Sequence, residues 1–315
     1  MRLLVRQVRI EAEDIRSFEL ADPEGAELAP FTPGAHIDVR APDGPMRQYS
    51  LCNGPEERDL YRIAVKREPW SRGGSRAMHG LQPGQFVEVS APRDAFPLDH
   101  GAPHCLLLAA GIGITPLLSM ARHLAASGRS FALHHFTRSP RHAAFLREIE
   151  RGPLGPRSAF HHGLEGEELH GTLGRLLAER PAGALLYLCG PAGFMAQAAE
   201  AAAPAWPAES IRREHFAAPA PVSGDAEGGF SVELARTGRT VAVPPDRSIV
   251  AALAEQGVRI DTSCEQGVCG TCLTRVLAGE PDHRDLFLSE EERRACDQIL
   301  PCVSRARGGR LVLDL

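Results

Sequence analysis

The chain has 315 residues, 43% hydrophobic and 24% charged, enough to build two or three ordinary cores. A formal net charge of −5 argues against a nucleic-acid surface, which needs a clustered basic face. Arg2, Arg6 and Arg9 interrupt the N-terminal stretch, and the longest apolar run, residues 105–114, is too short to span a bilayer; the expectation is a cytoplasmic protein without a membrane segment. In that compartment eight cysteines point to free thiols or metal ligands rather than disulfides.

Residues 1–101 alternate short β-like runs with turn signals. "HIDVR", "RQYSL", "YRIAVKRE" and "QFVEVSAP" are separated by Pro33-Gly34, Asp43-Gly44 and Pro83-Gly84, a texture that predicts a small antiparallel β-barrel. Within "RQYSL", Arg47, Tyr49 and Ser50 put a cation, a ring and a hydroxyl on or beside one strand face, which suits a planar, anionic flavin. The Ser50 hydroxyl is placed to bond near the reactive flavin nitrogen. In "SRGGSR", residues 71–76, Gly73 and Gly74 offer backbone N–H groups and Ser75 is the expected opening of a short helix. That is a phosphate cradle if functional and a surface turn if not.

Residues 102–216 change texture. "CLLLAA" reads as a buried strand, "TPLLSMARHLAASG" as a helix ending at Gly128, "FALHHF" as a strand and "HAAFLREIE" as a helix. "ALLYLCG" then leads into the helix "AGFMAQAAEAAA". Strands alternating with helices predict an α/β domain with a parallel sheet. Two strand-to-helix turns stand out. "AAGIGITPLLSM" ends a strand, turns sharply on glycines and starts a helix with Pro116 near its first position, the geometry that binds a pyrophosphate or nicotinamide at a sheet's C-terminal edge, although it lacks the GxGxxG spacing; "YLCGPAGFM" places Cys189 at another strand end, where a lone cysteine is more often core than catalytic. Arg138 and Arg141 in "FTRSPR" suit either a ribose 2′-phosphate or solvent. The pairs His134-His135 and His161-His162 face opposite ways along their strands and are given no role.

Residues 217–229 are rich in Ala, Pro and Gly and read as a linker. From 230 to 315 a hairpin around Thr237-Gly238 precedes a helix with Asp246 as expected N-cap and Gly257 just beyond its end. Then comes "DTSCEQGVCGTC". Cys264, Cys269, Cys272 and the distant Cys302 have the spacing C-x4-C-x2-C-x29-C, that of a plant-type [2Fe–2S] centre. Four thiolates must converge from a short wrap of backbone, and Gly267 and Gly270 permit the tight turns. Zinc is disfavoured because there is no second CxxC. Cys296 reads as a small buried hydrophobe.

The C-terminal region resembles a plant-type ferredoxin of β-grasp, α+β fold. RxYS, GxGxTP and CGP, in that order, resemble the ferredoxin–NADP⁺ reductase superfamily. With the ferredoxin appended, the whole chain is similar to the phthalate dioxygenase reductase family, which includes the vanillate demethylase reductases; "APRDAFPL" and "IRREHF" add to the likeness. The resemblance implies FMN as flavin and NADH as donor. It puts Arg47, Tyr49 and Ser50 along the flavin, Gly74 and Ser75 at its phosphate, and Gly111, Gly113, Thr115, Cys189 and Gly190 along the nicotinamide path. Phe216 is implied to stack on the flavin. Electrons are expected to run from NADH to FMN to the cluster, with Thr115 and Cys189 positioning the nicotinamide, and then to a terminal Rieske-type oxygenase, the reductase itself being a monomer. A cytochrome P450 or other monooxygenase is the alternative acceptor. A redox sensor built on the cysteine loop is the alternative of another class.

Overall fold

A computed structural model describes residues 1–42, 44–69, 73–217 and 228–315, in two compact units, Met1–Glu214 and His215–Leu315. Asp43, residues 71 and 72 of the expected phosphate loop, and positions 218–227 of the expected linker lie outside the described residues.

The first unit opens with an antiparallel sheet: β1 (Arg2–Ala12), β2 (Ile15–Ala21), β3 (Ala35–Arg40), β4 (Met46–Ser50), β5 (Tyr61–Lys66), β6 (Phe86–Val89) and the short β7 (Arg93–Asp94). Its order is β4-β3-β6-β1-β2-β5, with β7 beside β3, and a bridge from Leu51 to Ile63 brings the two edges together. Closure removes the exposed edges that an open sheet would present. Phe18, Ile37, Tyr61, Ile63 and Val87 fill the barrel core. The helix α1 (Gly74–Gly80) lies between β5 and β6 in sequence and buries Met78 in that core.

The same unit continues into a parallel sheet of β8 (Cys105–Ala110), β9 (Phe131–Thr137), β10 (Ser158–His162), β11 (Leu185–Cys189) and β12 (Ile211–Glu214), in the order β10-β9-β8-β11-β12. The central strand β8 is buried at every residue, as a strand covered on both faces must be. Its helices are α2 (Ile114–Ala126), α3 (Leu146–Arg151), α4 (Gly166–Leu177) and α5 (Ala192–Ala202). The helix expected over "HAAFLREIE" shrinks to α3. Phe145 is held at φ 61°, in the left-handed region, while Ala143, Ala144 and Phe145 are buried. Burial of these side chains overrides the local helical preference. Charged contacts join the barrel to the helix layer: Arg62 and Arg122 both meet Glu148, and His123 Nδ1 lies 2.7 Å from Glu56.

The second unit is α+β, with a β-grasp arrangement. Its strands are β13 (Phe230–Leu234), β14 (Arg239–Val243), β15 (Thr274–Ala278), β16 (Pro281–Asp282), β17 (Gln298–Ile299), β18 (Arg305–Ala306) and β19 (Arg310–Leu313). The main sheet runs β14-β13-β19-β15-β17, with β13 and β19 parallel. The helices are α6 (Ile249–Glu255) and α7 (Glu290–Ala295); Ile249, Ala252 and Leu253 of α6 join the sheet's core. The N-cap of α6 is Ser248, not the expected Asp246. Ser248 Oγ accepts from Ala251 N–H at 3.1 Å, and Asp246 lies two residues too early to reach the helix's free amides. Gly257, at φ 76°, follows the C-cap as expected. Among the described residues no helix is long and apolar enough to cross a membrane.

Candidate functional site

The barrel contributes two of the expected motifs, and they meet. Arg47 and Tyr49 alternate along β4, opposite Val39 and Ile37 of β3, while Ser50, buried, takes the other face. Gly74 lies directly against the Arg47 stem: a Cβ on Gly74 would sit 2.6 Å from Arg47 Cγ. The Arg47 guanidinium folds over its own strand, Nη1 donating to Met46 O at 2.7 Å. Gly73 is the N-cap of α1 at φ 102°, a conformation that favours glycine. Ser75 is the helix's second residue rather than its opener, and its Oγ accepts the Glu68 N–H at 3.2 Å. Tyr49 packs against the barrel core, and burial pushes its phenol well above the ordinary range. The cradle therefore combines a cation, a ring and a close-approach glycine.

At the C-terminal edge of the parallel sheet the two glycine turns interlock. Gly111–Gly113 forms one 3₁₀ turn between β8 and α2, so α2 starts at Ile114 and Pro116 is its third residue. A Cβ on Gly113 would fall 2.2 Å from Cys189 O, and one on Gly190 would fall 2.7 Å from Ala110 Cβ. Only glycines let the ends of β8 and β11 come this close. Gly111 differs: it sits at φ 54° with open space where a side chain would be. Thr115 Oγ1 turns inward and donates to Ile112 O at 3.0 Å.

Cys189 is fully buried, and its thiol is raised by burial first and by Glu214 second, so it stays protonated. Its Sγ lies 3.9 Å from Glu214 Oε2. Glu214, which sequence reading passed over, is itself pushed up to about 8 by burial and by the nearby Asp94 carboxylate. The signal available in sequence was only an acid in "IRREHF"; what makes it unusual is Asp94 on β7, 120 residues away. Phe216, two residues past β12, is half-buried. Arg138 and Arg141 are exposed, and Arg141 Nε lies 3.8 Å from Glu13. The histidines pair across strands rather than along them: His134 Nδ1 is 3.0 Å from His161 Nε2.

In the second unit the four expected thiols converge as two pairs. Cys264 hydrogen-bonds Cys269 and lowers that thiol, while Cys302 likewise lowers Cys272; Cys264 and Cys302 are correspondingly raised. Backbone amides point at the sulfurs: Gln266 and Val268 at Cys264, Thr271 at Cys269, and Gly267 at Cys302. Such donors stabilise thiolate charge. Gly267 and Gly270 both take φ 73°, which lets the loop wrap as tightly as the spacing requires. Cys272 and Cys302 lie among Leu288 and Leu300, which keep water from that side, and Cys269 is the thiol nearest solvent. Among the described residues no three His, Cys, Asp or Glu side chains converge as one metal ion would need. Two thiol pairs with inward amides fit a binuclear cluster, in which each iron takes two thiolates.

Residues 232–307 match the family of 2Fe-2S iron-sulfur cluster binding domains. Over 308 residues the chain is 49% identical to a vanillate O-demethylase oxidoreductase of Pseudomonas putida, covering 97% of this chain and 96% of that protein. It superposes on the solved phthalate dioxygenase reductase, described as a modular structure for electron transfer from pyridine nucleotides to [2Fe-2S], with TM-score 0.83 and 41% identity over 100% of this chain and 98% of the other. The chain belongs to the phthalate dioxygenase reductase family. The same order of modules occurs in an intact type IV self-sufficient cytochrome P450 monooxygenase, at TM-score 0.77 and 36% identity over 100% of this chain and 41% of that one. Membership makes the chain an oxidoreductase, and its barrel, parallel sheet and β-grasp unit are the modules of this family.

Proposed function

We propose that the chain is the NADH-dependent reductase component of an oxygenase system, delivering electrons through FMN and a [2Fe–2S] cluster to a terminal Rieske-type oxygenase. We assign residues 1–101 to FMN, 102–216 to NADH, 217–229 to the linker and 230–315 to the cluster. The observation that carries this reading is the convergence of Cys264, Cys269, Cys272 and Cys302 as two pairs under inward amides. It is supported by interlocked nucleotide-type turns in the same chain. Bound flavin supplies the change from two-electron hydride chemistry to single electrons, and a bound cluster carries those electrons one at a time.

The chain's own residues do the rest. Arg47 balances the flavin's phosphate charge, Gly73, Gly74 and Ser75 let that phosphate approach backbone, and Tyr49 and Ser50 flank the ring. Gly111, Gly113 and Gly190 admit the dinucleotide at the sheet edge, while Thr115 and Cys189 bound the nicotinamide pocket. Cys189 remains a neutral thiol and Glu214 a largely protonated carboxyl below pH 8, so neither sets a full negative charge beside a departing hydride. The protein works as a cytoplasmic monomer.

The likeness to a P450 monooxygenase's reductase region favours a second acceptor, a cytochrome P450. Offering a purified Rieske-type oxygenase and a purified cytochrome P450 side by side, with NADH and limiting reductase, separates the two. Faster reduction of the Rieske centre is expected. Preferential reduction of the P450 would transfer the assignment to it, and no NADH-driven turnover with either, or with ferricyanide, would favour a redox sensor.

A further inference from the structure

The glycine turn after β8 is held from beneath by a histidine to which sequence reading gave no role. His135, on β9 opposite Ala109 of β8, is completely buried. Its Nε2 lies 3.0 Å from Gly111 O. A carbonyl only accepts, so Nε2 carries the hydrogen. Nδ1 is buried and has no protein partner among the described residues. Burial holds the ring's pKa down at about 4, against the pull of the Gly111 carbonyl and with help from His162. The imidazole is therefore neutral at physiological pH, as the Nε2–H tautomer.

The His135 hydrogen bond is one of a few contacts that fix this turn. Gly111 is in the left-handed region, at φ 54°, with no side chain of its own and nothing packed where one would be. Its carbonyl takes the Ile114 N–H, and the His135 Nε2–H is its second donor. The next carbonyl, Ile112 O, is taken by Thr115 Oγ1, and Gly113 rests on Cys189 O. The turn is thus gripped beneath, within and beside, leaving one open side at Gly111. A glycine turn without such a grip would have to be ordered each time a ligand bound, which weakens binding.

We propose that His135 is a positioning residue for the pyridine nucleotide, its Nε2–H anchoring the Gly111 carbonyl so that the Gly111–Gly113 turn is preset to receive the dinucleotide. This rests on the reading of that turn as the NADH site. His135 reaches the nucleotide only through Gly111, so its loss weakens binding and leaves the hydride step itself intact.

The test uses the holoprotein with His135→Leu, His135→Asn and His135→Gln. KM for NADH and kcat are measured with ferricyanide as acceptor, alongside the dissociation constant of NAD⁺ and the flavin and iron content. His135→Leu removes the donor, and KM and the NAD⁺ dissociation constant should rise about tenfold with kcat within about twofold. His135→Asn, too short to reach the carbonyl, should behave alike and decides the matter if the Leu variant does not fold. The longer amide of His135→Gln should recover most of the binding. The proposal is overturned if Leu and Asn variants that retain flavin bind nucleotide like the wild type, if kcat falls while KM holds, or if a folded Gln variant recovers nothing. A wild-type protein that neither binds NAD⁺ nor oxidises NADH would instead defeat the assignment of the turn.

Discussion

Glu214 shows how a residue acquires its chemistry from neighbours that the sequence keeps distant. Its carboxyl sits 3.9 Å from the Cys189 thiol. Burial and Asp94 raise it from 4.5 to about 8. Folded, it keeps its proton until about pH 8; unfolded, it loses it near 4.5. Its contribution to stability is therefore full below 4.5 and declines as pH rises toward 8. Glu214→Gln should flatten the fall of the thermal midpoint between those limits, and parallel wild-type and variant profiles would refute the assignment. Nothing local marks this acid, whereas Cys189, Gly113 and Gly190 are legible because strand-to-helix turns announce themselves with glycine. The reason for Gly113 is not legible: a Cβ there meets a backbone oxygen at 2.2 Å. That oxygen cannot move without moving β11, so Gly113→Ala should raise KM for NADH by at least about tenfold while flavin stays bound. An unchanged KM would mean that the two turns are looser than they look.

At the scale of elements, period and turn chemistry identified strands β3, β4, β5, β6, β8, β9 and β11, the β13–β14 hairpin and helices α1, α2, α5 and α6, while β1, β2, β10 and α4 went unread; where a reading was made and missed, the cause is physical. The helix expected from residue 142 begins only at Leu146 because buried Ala143, Ala144 and Phe145 dictate the backbone. The cap of α6 moved from Asp246 to Ser248 because the helix starts two residues later than its acid suggests. The meeting of β4 with α1 was not readable, since Arg47 and Gly74 are brought together only by barrel closure. That meeting has a consequence: Arg47→Ala should lower the FMN bound per chain, measured by extraction, to about half or less, and full retention would remove Arg47 from the cradle. The cluster loop was legible in its ligands but not in its lid. Gly270 stands at φ 73°, and a Cβ there would fall 2.3 Å from the Phe287 ring. Gly270→Ala should cost about 1–2 kcal/mol of local conformational strain and reduce iron and acid-labile sulfide per chain. Undiminished loading would show that the loop tolerates a different path.

For the molecule as a whole, the order of modules was readable because each has its own texture: short punctuated strands, then alternating strands and helices, then a thiol loop. What joins the modules into one electron path rests on a division of labour. In the function proposed above, the first unit takes the hydride and the thiol loop of the second carries single electrons outward. Cys269→Ser should therefore abolish reduction of a protein acceptor while leaving anaerobic reduction of the flavin by NADH nearly intact; an equal loss of both would break that division. The most direct measurement is an anaerobic NADH titration of the intact protein, followed by visible absorption and low-temperature electron paramagnetic resonance. The account predicts bleaching of a flavin band together with a [2Fe–2S] signal approaching about one unpaired spin per chain. Flavin bleaching with no cluster signal, or a protein that contains zinc and no labile sulfide, would contradict it.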